Sequence, residues 1–90
     1  MSIQPSVPSQ SVAVAVYEKP SCAGCHATKR WLDKRGVDYT SVDISTDPVA
    51  RAFVVDELGY MQAPVVVLST GEHWSGFQPG LLQEHLEPAA

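Results

Sequence analysis

The sequence has little cysteine and little basic charge, and it lacks any long apolar run. Two of its 90 residues are cysteines, and 6 Lys and Arg stand against 10 Asp and Glu, for a formal net charge of −4. This acidic balance, with no basic cluster larger than two neighbouring residues, argues against a nucleic-acid-binding surface. No apolar stretch approaches the roughly 18 residues of a transmembrane helix.

The N-terminal residues carry no pattern for export. They contain no basic segment followed by an apolar stretch and a cleavage site, so we expect a cytoplasmic protein. In that reducing compartment a close pair of cysteines is more often catalytic or metal-binding than structural. Residues 1–11, rich in serine and proline, predict a loose tail, and residues 12–90 predict one domain with one core.

Both cysteines lie in one Cys22-Ala23-Gly24-Cys25 motif, between a predicted strand and a predicted helix. The first turn of a helix has unpaired N–H groups and a partial positive charge, which favour an anion. A cysteine placed there ionises more easily, and the thiolate is the reactive form. Two intervening residues let the second sulfur close a disulfide with the first. The motif therefore predicts redox chemistry, with Cys22 as the nucleophile and Cys25 as the resolving thiol.

Periodicity and helix-start signals predict the order strand, helix, strand, helix, strand, strand, helix. The Asp47-Pro48 pair predicts the start of the second helix, with Asp47 as the cap. The predicted elements are strand 12–17, helix 23–35, strand 37–42, a helix from 48 with Val49, Phe53, Val54 and Leu58 on its buried side, strands 65–68 and 73–75, and a helix from 79. The first two strands should be parallel and the last two should form a hairpin. This is an α/β fold with a four-stranded mixed sheet and helices on both faces.

Three further features have two interpretations each. Lys19 either adds positive potential near Cys22 or is a solvated loop lysine. Pro64 precedes a buried strand, and its peptide bond with Ala63 is either trans or cis, because the cis form costs only about 0.5–1 kcal/mol before proline. A short segment with two aromatic residues around a glycine is either core or a docking surface. Its residues are Trp74, Ser75, Gly76 and Phe77.

Two rival functions use the same cysteines. Cys22 to His26 match the pattern of c-type haem attachment, with Met61 as a conceivable axial ligand. Haem attachment normally requires export, so we interpret Met61 as a packing residue instead. A two-cysteine carrier of a soft metal is the other rival. Structural zinc requires four ligands, and the remaining candidates, His26, His73 and His85, have no regular spacing.

Taken together, these features resemble the thioredoxin superfamily and, within it, the glutaredoxin-like NrdH-type redoxins. The resemblance covers about residues 12–86. The residues that carry it are Lys19, Pro20, Cys22 and Cys25, then Ala27-Thr28-Lys29, Asp43-Ile44-Ser45, Gly59-Tyr60, Gln62-Ala63-Pro64-Val65-Val66-Val67 and His73-Trp74-Ser75-Gly76-Phe77. Two positions depart from the family pattern: Gly24 stands in place of the usual glutamine, and Gln78 in place of the usual arginine.

The resemblance implies a thioredoxin-like fold in which a cis-proline at Pro64 faces the dithiol. It implies an electron carrier that serves the large subunit of a class Ib ribonucleotide reductase and is recycled by thioredoxin reductase. We expect a monomer without a bound cofactor or metal. The site-supporting and docking residues would be Lys19, Ala63, Pro64, Trp74, Ser75, Gly76 and Phe77. The alternative within this chemistry is a glutathione-dependent glutaredoxin. Such proteins usually carry a Gly-Gly and an acidic pair after the last strand, where this sequence has Gly76-Phe77-Gln78.

Overall fold

The computed structural model describes residues 12–86, which form a four-stranded mixed sheet with three helices. The order of elements is the one predicted. The elements are β1 (Val14–Glu18), α1 (Ala23–Lys34), β2 (Thr40–Asp43), α2 (Pro48–Ala52, continued by a π-helical segment, Phe53–Glu57), β3 (Val65–Leu68), β4 (His73–Ser75) and α3 (Pro79–Leu86). The predicted tail, residues 1–11, lies outside the described residues.

The sheet has the strand order β2-β1-β3-β4, with β2 and β4 at its edges. β1 runs parallel to β2, with Tyr17 opposite Val42. It runs antiparallel to β3, with Val16 opposite Val66, and β3 pairs antiparallel with β4. The central position of β1 matters for the site, because the chain leaves its end to enter α1.

Side chains alternate between the two faces of the sheet, and each face has its own apolar cluster. The first cluster lies between the sheet and helices α1 and α3, and it comprises Val14, Val16, Trp31, Leu32, Val66, Leu68, Trp74 and Leu82. The second lies on the α2 side, where Ile44, Val54 and Val65 are buried. The prediction of helices on both faces is therefore confirmed.

Helices α1 and α2 begin at the residues that the sequence predicts. Cys22 is the cap of α1, and Asp47 is the cap of α2, where its Oδ1 accepts a hydrogen bond of 3.0 Å from the N–H of Ala50. Pro48 occupies the first helical position, where the missing N–H removes no hydrogen bond. Beyond α1, Gly36 has a left-handed φ of 68°, a conformation that glycine adopts without steric penalty.

The prediction that Val49 is buried is wrong, since 79% of this residue is exposed. The α-helical part of α2 ends at Ala52, and the chain continues with the wider turns of a π-helix, in which the N–H of Leu58 bonds to the carbonyl of Phe53. Ala50, four residues before the buried Val54 and so on the same side of the helix, packs against the core in place of Val49.

Candidate functional site: a disulfide beside a cis-proline

The turn between β1 and α1 places Cys22 at the N-terminus of the helix. Ser21 adopts a left-handed conformation with φ 57°, and Cys22 returns to extended backbone as the cap residue. The N–H of Cys25 then points at the sulfur of Cys22, with a distance of 3.1 Å. This N–H belongs to the first helical turn, which lacks internal acceptors. A negative charge on the Cys22 sulfur would be stabilised there by a hydrogen bond as well as by the helix dipole.

Cys22 and Cys25 form a disulfide, and their Cα atoms are 5.2 Å apart. The two residues differ in exposure: Cys22 is half-buried, whereas Cys25 is 1% exposed. An incoming thiol can therefore reach Cys22 from solvent, while Cys25 is shielded by the body of the protein. The arrangement suits thiol–disulfide exchange, in which one sulfur meets the partner and the other closes the bond behind it.

Pro64 packs directly against the helical turn that carries the two cysteines. Its peptide bond with Ala63 is cis, and the residue is fully buried. A Cβ atom placed on Gly24 would lie 3.1 Å from Cδ of Pro64. The carbonyl of Pro64 accepts a hydrogen bond of 2.7 Å from the N–H of Gly76, and Ser75 Oγ donates to the carbonyl of Gln62. The loop before β3 is thus fastened to the end of β4 and rests on Gly24.

The two aromatic residues after β3 have different environments. The segment was expected to be either core or a docking surface, and one residue fits each description. Trp74 is 5% exposed and stacks on His85 of α3, with ring centroids 5.8 Å apart. Phe77 is 39% exposed, and its backbone lies close to Gly24. Trp74 is therefore a core residue, and Phe77 is an apolar surface residue at the rim of the disulfide site.

A groove of about 350 Å³ lies alongside this site. Its walls come from the loop before Pro64, from the π-helical part of α2 and from the ends of β1 and β2. The lining residues are Lys19, Ile44, Ser45, Arg51, Val54, Val55, Tyr60, Met61, Gln62 and Ala63. The interpretation of Met61 as a packing residue is wrong, because the residue is 80% exposed. Met61 lies in the loop between α2 and β3, on the wall of the groove.

Two polar pairs support the walls of the site. Tyr60 Oη lies 2.8 Å from Nδ1 of His73, which ties the loop before Pro64 to β4. Lys29 Nζ forms an ion pair of 2.6 Å with Glu18 and so joins α1 to the end of β1. The hydrogen bond to Glu18 is the main reason that the pKa of Lys29 is raised above its ordinary value.

The sequence assigned no site role to three of these residues, namely Gly24, Arg51 and Tyr60. Gly24 stands out there only as a departure from the family pattern and Tyr60 only as part of the resemblance, while Arg51 carries no signal. Only the folded chain brings these residues to the site. Among residues 12–86, no group of three or more His, Cys, Asp or Glu side chains could hold a metal ion, and no helix is long and apolar enough to cross a membrane.

Comparison with known proteins agrees with this geometry. The family model for glutaredoxin matches residues 14–74. The glutaredoxin-like protein NrdH of Escherichia coli K12 is 36% identical over 76 residues, which cover 84% of this chain and 90% of that protein. The gene 56 protein of mycobacteriophage D29 is 32% identical over 74 residues, 82% of each chain. This chain belongs to the glutaredoxin family, as an NrdH-type redoxin.

The solved structure of the NrdH-redoxin of Escherichia coli superimposes on this redoxin with a TM-score of 0.76 at 35% identity, over 87% of this chain and 99% of that one. The match confirms the thioredoxin-like fold. Family membership and the Cys22–Cys25 pair together make the redoxin a thiol–disulfide oxidoreductase and a redox carrier.

Proposed function

We propose that the redoxin is a monomeric cytoplasmic electron carrier that reduces a class Ib ribonucleotide reductase and is itself reduced by thioredoxin reductase. The observation that carries the proposal is the pairing of a half-buried Cys22 with a buried Cys25 beside Pro64, in a chain similar to NrdH of Escherichia coli. The NrdH-redoxin of Escherichia coli is described as having a thioredoxin-like activity profile, which supports recycling by thioredoxin reductase.

In the proposed cycle, the thiolate of Cys22 attacks a disulfide of the partner. The partner's S–S bond breaks, a mixed disulfide forms and one partner sulfur leaves as a thiolate. Cys25 then attacks the sulfur of Cys22, which releases the second partner sulfur and closes the Cys22–Cys25 disulfide. The proton of Cys25 balances one of the two thiolates that the partner gains. Two electrons have then passed from the redoxin to the partner.

The partner would contact the surface around Cys22. Lys19, which lines the groove, supplies positive charge, while Phe77, close to Gly24, offers apolar area. We propose that the backbone at Ala63 and Pro64 aligns the partner's cysteine segment. Trp74 is buried and would act indirectly, by holding the turn through Ser75 and Gly76 in place.

The test is a pair of coupled assays with NADPH consumption as the readout. One contains thioredoxin reductase and a peptide disulfide that mimics a ribonucleotide reductase C-terminus, and the other contains glutathione and glutathione reductase. We expect turnover in the first assay and little in the second. Cys25→Ser should accumulate a mixed disulfide through Cys22, detected by mass spectrometry, whereas Cys22→Ser should not. Equal trapping by the two variants, or turnover by Cys25→Ser, would contradict the assigned roles.

A glutathione-dependent glutaredoxin is the second candidate, and one observation favours it. The groove beside the disulfide contains two cationic residues, Lys19 and Arg51, which suit the carboxylates of a small acidic thiol. Turnover with glutathione that falls roughly tenfold in Arg51→Gln would support this candidate, because the loss of one charged hydrogen bond is worth about that much. The soft-metal carrier is tested by the metal content of protein purified under reducing conditions.

A further inference from the structure

Met61 is the most exposed large apolar residue within residues 12–86, at 80%. The other two exposed ones are Val49 at 79% and Phe77 at 39%, and neither has an atom that a peroxide oxidises under mild conditions. Methionine has one, because peroxides convert its thioether into a polar sulfoxide, which methionine sulfoxide reductases convert back. The thiol–disulfide exchange described above makes no use of this third sulfur.

The position of Met61 connects its oxidation to the redox site. Its side chain lines the groove alongside the disulfide. It precedes Pro64 by three residues, so the two Cα atoms are at most about 11 Å apart. Pro64 in turn packs against Gly24, between the two cysteines. A standard interface covers about 800 Å² of each protein, a disc of roughly 16 Å radius, so a protein that docks at Cys22 over Pro64 also covers Met61.

The redox state of the cysteines determines when Met61 becomes the target of a peroxide. In the dithiol, the Cys22 thiolate is the stronger nucleophile and attacks first, the O–O bond breaks, and a sulfenic acid forms with release of hydroxide. The Cys25 thiol then displaces the oxygen as water and closes the disulfide. The disulfide contains no thiolate, which leaves Met61 as the exposed sulfur that the peroxide can oxidise.

We propose that Met61 is a reversible oxidation site, modified once a peroxide has converted the redoxin to its disulfide, and that the sulfoxide slows exchange with protein partners. The thioether sulfur attacks one peroxide oxygen, the O–O bond breaks, and the proton of the transferred oxygen leaves with the other oxygen as water. The sulfur loses two electrons and the peroxide gains them. The polar S–O group then lies on a groove wall that also contains Val54 and Val55, and its desolvation opposes burial by a partner. The inference rests on the partner contact around Cys22 proposed above, whichever protein that partner is.

The first test treats the disulfide form with hydrogen peroxide and locates the added oxygen by fragmentation mass spectrometry. Met61 should be oxidised at a rate within about threefold of N-acetylmethionine amide, because four-fifths of the residue is exposed. The other methionine, Met1, lies on the opposite side of the tryptic cleavage site at Arg51 and is scored separately. When the dithiol is treated instead, the disulfide should form before the sulfoxide. A slower rate at Met61, or a sulfoxide that precedes the disulfide, would overturn the proposal.

The second test measures the reduction of insulin by pre-reduced redoxin, with and without prior peroxide treatment. Oxidation of the parent should slow this reaction roughly fivefold, the loss expected when one apolar side chain resists burial at an interface. Met61→Leu keeps the apolar surface without an oxidisable sulfur, so its rate should not respond to peroxide. Met61→Gln should be slow without treatment, and methionine sulfoxide reductases should restore the treated parent. The rate of the untreated parent reports the carrier function by itself, so a failure of that function is seen there and not in the ratio.

Reduction of the Cys22–Cys25 disulfide by dithiothreitol separates docking from damage to the site. This reductant is too small to cover Met61 while it attacks Cys22, so its rate should be the same before and after peroxide treatment. Slowing with dithiothreitol equal to that with insulin would overturn the proposal. So would an unchanged insulin rate in the oxidised parent, or equal slowing of the parent and Met61→Leu.

Discussion

A methyl group added at Gly24 should disturb the packing between the helix that carries the cysteines and the loop of Pro64. The added Cβ would lie 3.1 Å from Cδ of Pro64, and 3.8 and 3.9 Å from N and Cβ of Phe77. Carbon atoms prefer separations of about 3.5–4.0 Å, so the Pro64 contact is too short and the Phe77 contacts are acceptable. Pro64 cannot move away freely, since its carbonyl accepts a hydrogen bond from the N–H of Gly76.

The expected net effect is a loss of stability. Overpacking of this kind costs about 1–3 kcal/mol, while replacing a helical glycine with alanine gains about 0.5–1 kcal/mol. The difference is a destabilisation of about 1 kcal/mol, which lowers the melting temperature of a domain of this size by about 5 °C. Displacement of Pro64 relative to Cys22 should also lower the rate of disulfide reduction by roughly three- to tenfold.

Gly80 provides a matched control, because it too is the second residue of a helix. Nothing lies within 4 Å of a Cβ placed on Gly80, so Gly80→Ala should gain helix stability without a clash. Thermal unfolding of the oxidised proteins and an insulin reduction assay would give the comparison. If Gly24→Ala stabilised the protein as much as Gly80→Ala and kept full activity, the reasoning about the Pro64 contact would be refuted.

Two other predictions concern charged residues. Lys29→Met should reduce stability by about 0.5–1 kcal/mol at pH 7, because it removes the ion pair with Glu18. Because the pKa of Lys29 is raised in the folded protein, the ion pair contributes fully below pH 10.5, the ordinary pKa, and its contribution is lost as the pH rises through the higher folded-state pKa. The free energies of unfolding of parent and variant, measured by urea titration, should therefore converge at alkaline pH. A difference that stays constant with pH would contradict this. Lys19→Gln should slow partner reduction roughly threefold at low salt and less at high salt. The control Lys34→Gln, at the far end of α1, should leave the rate unchanged. Equal effects of the two substitutions would argue against docking near Lys19.

The order of elements and the position of the redox pair could be predicted because they depend on local signals. Apolar runs mark β1 and β3, Asp47 and Pro48 mark the start of α2, and the two-residue spacing of Cys22 and Cys25 permits a disulfide. Each signal involves residues within a few positions of one another. The structure contains all of these elements: the starts of the three helices and both ends of β3 and β4 lie where predicted, and the other boundaries shift by at most three residues.

The errors at Val49 and Met61 have a different origin. Both predictions assumed that an apolar residue near a helix packs inward. For Val49, the assumption fails because the core contacts the side of the helix that carries Ala50 and Val54. For Met61, it fails because the residue lines an open groove and is 80% exposed. Neither outcome has a signature in the neighbouring residues.

By itself, the sequence determined that a dithiol would lie at the start of a helix after a central strand, since cap, spacing and periodicity are properties of short segments. Tertiary structure alone decided what surrounds that dithiol. It placed Pro64 and Phe77 against Gly24 and brought Arg51 and Tyr60 to one groove. These contacts join residues far apart in the chain, and they exist only where the packing of both sheet faces brings the segments together.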